Sequence, residues 1–167
     1  MLLLTGASGI GKSLQLKDIA AKSGGRVYLF DNFDGAPSFM PPEPDACDVV
    51  ALDHLLPMNG SAAVLQEAAD WCKAYGKILC VATQDRRDVE SKMDIPLGSI
   101  EMLLYREGNV DCLKVIRPQD SLTFVLGPNR SGESAEESLA RFHSFVQHLG
   151  AVTATPPTPD SNEPTGI

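Results

Sequence analysis

The segment Gly6-Ala7-Ser8-Gly9-Ile10-Gly11-Lys12-Ser13 constrains this chain more than any other, because it fits the pattern G-x-x-x-x-G-K-[ST] at every fixed position. An apolar run, Met1 to Leu4, precedes it and reads as a strand; a helical pattern, Leu14 to Lys22, follows. A glycine-rich turn between a strand and a helix aims several backbone N–H groups at one spot and adds the positive end of the helix. That arrangement suits a polyphosphate. Gly6, Gly9 and Gly11 allow conformations and close approaches that a side chain would block. Lys12 offers a mobile positive charge for the outer phosphates, and the Ser13 hydroxyl offers a ligand for Mg²⁺. Ser8, Ile10 and Leu14 complete the stretch expected around the phosphates. The ligands expected from this loop are ATP and Mg²⁺.

With 167 residues the chain is long enough for one domain with a substantial core. Its net charge of −8 argues against a broad basic surface that grips nucleic acid nonspecifically, while leaving room for a local basic site. Cys47, Cys72, Cys80 and Cys112 show no C-x-x-C spacing, and His54, His143 and His148 are scattered, which argues against zinc. The cysteines read as small buried residues or as free thiols of a reducing compartment. No apolar stretch approaches the length that spans a bilayer, and no signal peptide is visible. The expectation is a soluble, cytoplasmic protein, in the host cytoplasm if phage-encoded, with no membrane partner.

Further along, Leu14, Leu16, Ile19 and Ala20 give the first helix an apolar side, and Gly24-Gly25 stops it. Arg26 to Phe30 reads as a strand, Asp31 to Pro44 as a loop, and Val49 to Leu52 as a buried strand ending at Asp53. After a loop over Leu55 to Gly60, apolar residues at Val64, Leu65, Ala68, Ala69 and Cys72 predict a helix over Ser61 to Tyr75 that Gly76 ends. Ile78 to Thr83 reads as a continuous apolar strand. Strands alternating with helices predict an α/β fold with a mainly parallel sheet flanked by helices. The polar stretch Gln84 to Leu97 reads as a mobile loop. Ile100 to Arg106, Val110 to Ile116 and Leu122 to Leu126 then read as strands of an antiparallel C-terminal extension, the first two joined by a turn at Glu107-Gly108-Asn109. Ser134 and Glu137 form a capping box for a last helix. The domain is expected to span 1–150, and the proline-rich tail 151–167 to be disordered.

Three further chemical roles are assigned in this reading. A buried strand ending in Asp53 places a carboxylate beside the phosphate loop, where it can hold Mg²⁺ opposite Ser13. Hydrolysis needs a group that orients the attacking water; Asp31 is the first candidate and Asp34 the second. Gln84, at the end of the strand Ile78 to Thr83, is placed to sense the terminal phosphate.

These stretches resemble a known family. Asp48 to Pro57, Leu65 to Gln84 and Leu97 to Glu107 resemble the corresponding segments of DnaB-type hexameric helicases, which belong to the RecA-like P-loop ATPases. The resemblance covers about residues 1 to 127 and implies a RecA-like core resembling the minimal phage recombination and packaging ATPases. It implies a homo-oligomer in which basic residues of one copy act in trans on a neighbour's nucleotide. Lys114, Arg117 and Arg130 are the candidates, with Arg117 assigned the catalytic part. It also implies that Arg86, Arg87 and Lys92, after Gln84, face a channel where single-stranded DNA or RNA could bind; Asp85, Asp88, Glu90 and Asp94 in the same stretch oppose that. Two departures stand out. The family's catalytic Glu after the second strand is replaced here by Asp31, Asn32 and Asp34, and Arg117 is followed by Pro118 where the family has Gly.

Together with the resemblance, the sequence thus predicts an ATP-binding and ATP-hydrolysing core that acts, as an oligomer, in nucleic-acid transactions of helicase, recombination or packaging type. The catalytic set is Lys12, Asp31, Gln84 and Arg117, with Ser13 and Asp53 at the metal. A small-molecule kinase and a nucleotide-binding regulatory module with little turnover remain open alternatives.

Overall fold

The computed structural model describes residues 1–22, 24–55 and 61–128. Residues 56–60 of the expected loop, Arg130, the helix expected after Ser134 and the tail 151–167 lie outside the described residues. A seven-stranded sheet forms the centre, in the order β2-β3-β4-β1-β5-β6-β7. The strands are β1 (Leu2–Thr5), β2 (Val27–Asp31), β3 (Val49–Asp53), β4 (Ile78–Ala82), β5 (Ile100–Glu107), β6 (Val110–Ile116) and β7 (Ser121–Pro128). The first five run parallel, and β6 and β7 extend the sheet antiparallel. The α/β class and the antiparallel extension match the expectation from the sequence.

The uniform burial of β1 and β3 follows from their places inside a sheet covered on both faces. On one face, the helix α2 (Ser61–Tyr75) lays Val64, Leu65, Ala68 and Cys72 against Leu3, Val50, Leu52 and Val81. Those four helical positions form one stripe at the 3.6-residue period. Gly76 ends α2 at φ 63°, and the Lys77 N–H returns to the Cys72 carbonyl at 2.8 Å, closing the last turn. On the other face, the helix α1 (Lys12–Lys22) buries Leu16 among Leu2, Leu4, Ala51, Cys80, Ala82 and Met102. Leu14, expected on the apolar side, is instead exposed; it points along the rim of a cleft rather than into the core.

The stretch Gln84 to Leu97 is not simply a loop. It contains a short helix, α3 (Arg86–Glu90). Asp85 accepts from the Arg87 N–H at 2.9 Å, and the Asp88 carboxylate accepts from the Asp85 N–H at 3.0 Å. This reciprocal cap satisfies donors that a first helical turn otherwise leaves open. Val89 anchors α3 in the α2-side core. The spacing D-x-x-D was the local signal for this helix, and its high charge obscured it. Between β5 and β6, Gly108 adopts φ 61° in a two-residue turn, a conformation available to glycine at the first position of a hairpin turn.

Candidate functional site

Parallel strands put their carboxyl ends on one edge, and a crevice opens there where connections leave a central strand in opposite directions. Here β1 lies between β4 and β5, and β4 separates it from β3. Gly6 to Gly11 leaves the end of β1 and feeds α1. The three glycines take φ of 148°, 77° and 97°, all disfavoured for residues with a side chain. At Gly6 there is also no space: a Cβ would sit 2.4 Å from the Leu104 carbonyl oxygen of the neighbouring strand. Gly6→Val is therefore expected to displace the loop from β5 and abolish nucleotide binding, read by calorimetry. Gly9→Val has open space and only the backbone strain, so it should retain more binding.

A cleft of about 710 Å³ opens over this edge, a volume that suits a small ligand. Ser8, Gly9, Gly11, Lys12, Ser13 and Leu14 line one side, and Asp53, His54, Thr83, Gln84, Asp88 and Lys92 the other. The structure thus brings Lys12, Ser13, Asp53 and Gln84 to one cleft. Lys12 donates to the Gly6 and Ala7 carbonyls at 2.5 and 2.9 Å, lying across its own loop. Partial burial lowers its pKa from the ordinary lysine value, and the Asp53 carboxylate offsets part of that. The Gly6 N–H donates to the Gln84 carbonyl at 3.3 Å, which ties the phosphate loop to the end of β4.

Asp53 is 3% exposed. Its Oδ1 accepts the His54 N–H at 2.9 Å, while its Oδ2 is buried without a hydrogen-bond partner, 3.6 Å from His54 Nδ1. A buried carboxylate oxygen without a hydrogen bond is costly, and a hard divalent cation is a fitting partner. Ser13 lines the same cleft, so the donor set of one carboxylate and one hydroxyl fits Mg²⁺ with waters filling its other positions. Asn32 carries a second buried oxygen, Oδ1, without a partner.

His54 was not singled out in the sequence, yet it joins the site's parts. It adopts φ 54°, and among the described residues it is the non-glycine residue with positive φ. Such backbone costs roughly 1 kcal/mol or more and clusters at functional sites. Its Nδ1 lies 2.7 Å from Asp31 Oδ1, its Nε2 lies 3.4 Å from Ser13 Oγ, and Phe33 meets its ring edge-on. Asp31 and Asp53 are register partners on neighbouring strands, which no local pattern reveals. Asp31 also pairs with Lys17 at 3.4 Å. Partial burial pushes the Asp31 carboxyl up, but hydrogen bonds from His54 and the Phe33 N–H outweigh it and hold it below the ordinary carboxylate range. Asp31 therefore sits beside the site, engaged by His54 and Lys17, and is not among the residues lining the cleft. Asp34 is exposed.

Arg117 lies elsewhere. Its strand β6 ends opposite Glu101, and Glu101 pairs with Leu3 near the start of β1, so Arg117 occupies the sheet edge opposite the phosphate loop. Its guanidinium forks onto Asp120 within its own turn. Within one copy it cannot serve the cleft. Lys114 is on β6, half-buried. Arg86 pairs with Glu90 and Arg87 with Asp85 on exposed positions of α3.

The sequence matches no protein-family model and no curated protein. Among solved structures, it is similar to a KaiC-like protein from the hyperthermophilic archaeon Pyrococcus horikoshii OT3 at 14% identity and a TM-score of 0.45, covering 77% of this chain and 86% of that one. No described helix is long and apolar enough to cross a membrane.

Proposed function

We propose that this chain is a RecA-like P-loop ATPase core that binds ATP with Mg²⁺ and hydrolyses the bond between the β- and γ-phosphates. One observation carries the reading: a glycine loop bearing Lys12 and Ser13 lines the same cleft as buried Asp53, whose Oδ2 has no hydrogen-bond partner. The amides of Gly9 to Ser13 would hold the phosphates, and Lys12 would leave the Gly6 and Ala7 carbonyls to stabilise charge on the transferred group. Mg²⁺ held by Ser13 and Asp53 would neutralise charge on the β- and γ-phosphates. Gln84 would contact the terminal phosphate, and the bond between its carbonyl and Gly6 would couple that contact to the loop.

A role in nucleic-acid transactions, as an oligomer, is part of the same proposal. With Arg117 on the sheet edge away from the cleft, a role for it in trans requires a head-to-tail assembly, in which one copy's Arg117 edge meets the next copy's cleft. A regulatory module with slow turnover is the second reading. It is favoured by the capture of Asp31 by His54 and Lys17, which leaves the expected water-orienting carboxylate engaged.

Calorimetry with ATP and Mg²⁺, followed by phosphate release with and without single-stranded DNA or RNA, tests these readings. Heat of binding with turnover raised by nucleic acid supports the first, and binding without turnover supports the second. The absence of any heat from ATP would refute both. Light scattering with and without ATP and Mg²⁺ reads the assembly.

A further inference from the structure

We propose that Lys92 is a second phosphate-binding cation of the cleft, acting in the same chain on the terminal phosphate of the bound nucleotide. The proposal rests on the nucleotide-binding reading above and deepens it: the segment after Gln84 would read the nucleotide rather than a nucleic-acid strand.

The three basic residues of that segment are not equivalent. Arg86 and Arg87 are spent on Glu90 and Asp85 along α3. Lys92 comes after the helix. Its N–H closes onto the Val89 carbonyl at 2.9 Å, and this turn directs the side chain back into the cleft that Lys12 also lines. Its ammonium is held by one neutral acceptor, the Asp88 carbonyl, at 2.7 Å. An ammonium has three donors, so two remain for a ligand. The Asp88 carboxylate is already engaged by the Thr83 hydroxyl at 2.8 Å and the Asp85 N–H at 3.0 Å. The same Asp88 thus fixes the end of β4, caps α3 and tethers Lys92. Thr83 and Gln84 line the same cleft as the two lysines, so a phosphate that reaches Gln84 enters a cleft that Lys12 and Lys92 both line. A compact ammonium on a flexible stem is suited to phosphate as a point charge.

A contact made to the terminal phosphate alone should favour ATP over ADP. Lys92→Met is expected to weaken ATP binding by roughly tenfold or more, the size of one lost charge-assisted hydrogen bond, while ADP binding stays within about twofold. Lys92→Arg, which keeps the charge, should recover most of the ATP affinity. Calorimetry with each nucleotide and Mg²⁺ reads both. Amine labelling of the unmodified protein, followed by mass spectrometry, supplies a test independent of the variants' folding: ATP should shield Lys92 and ADP should not. The proposal is overturned if ATP and ADP weaken together, if neither changes, or if only stimulation by single-stranded DNA is lost. Equal labelling of Lys92 with ATP and ADP would also overturn it. Should the unmodified protein bind neither nucleotide, the underlying reading fails with it, whereas normal ATP binding unaffected by Lys92→Met removes this inference alone.

Discussion

Lys12→Ala is expected to weaken ATP binding roughly 10- to 150-fold, the range that removal of a charge-assisted hydrogen bond of about 1.5–3 kcal/mol implies. Turnover should fall further than binding, because charge on the transferred phosphoryl group peaks in the transition state. The fold should survive. Lys12 is only half-buried, and its hydrogen-bond partners are the Gly6 and Ala7 carbonyls, of which the Ala7 contact is exposed to solvent. Lys12→Arg should not rescue fully, since a planar guanidinium is bulkier than an ammonium and cannot simply lie across the same loop. Equilibrium titration with ATP and steady-state phosphate release measure the two effects. ATP affinity and turnover equal to those of the unmodified protein would remove Lys12 from the site.

Asp53→Asn is expected to separate function from stability. The residue is buried, and one carboxylate oxygen has no hydrogen bond and only the His54 Nδ1 at 3.6 Å, so the fold compensates its burial incompletely. A neutral amide of the same shape can still accept the His54 N–H through its oxygen. The variant should therefore be as stable as the original, or more stable by about 1 kcal/mol, a shift of roughly 2–4 °C in the thermal midpoint. Dependence of ATP binding on Mg²⁺ should weaken at least tenfold, and hydrolysis should fall by two orders of magnitude or more, because the carboxylate proposed to hold the metal is gone. Scanning calorimetry without ligand and ATP titration at varied Mg²⁺ separate the two readouts. A marked loss of stability with unaltered Mg²⁺ dependence would show Asp53 to be a structural residue of the strand end.

Local pattern was enough for the elements that depend on near neighbours in sequence. The phosphate loop, the strand before it and the helix after it stand where Gly6 to Ser13 placed them, because φ freedom and chain reversal are local properties. The helix Ser61–Tyr75 came out to the residue, since its apolar stripe and Gly76 mark both its face and its end. Asp53 was legible as the polar end of a buried run. The short helix α3 was missed because charge on its outer side hid a cap made by Asp85 and Asp88.

What the amino-acid order determined by itself is therefore the glycine-rich turn after the first strand, the alternation of strands and helices, and the candidates Lys12, Ser13, Asp53 and Gln84. Only the tertiary structure decided who meets whom. The pairing of β2 with β3 sets Asp31 beside Asp53 and brings both to His54, and the antiparallel return of β6 carries Arg117 to the far edge. The placement of Lys92 in the cleft is likewise a product of the fold. The physical reason is that register between strands distant in sequence is set by the burial of whole faces, a property of the assembled sheet that no single segment contains.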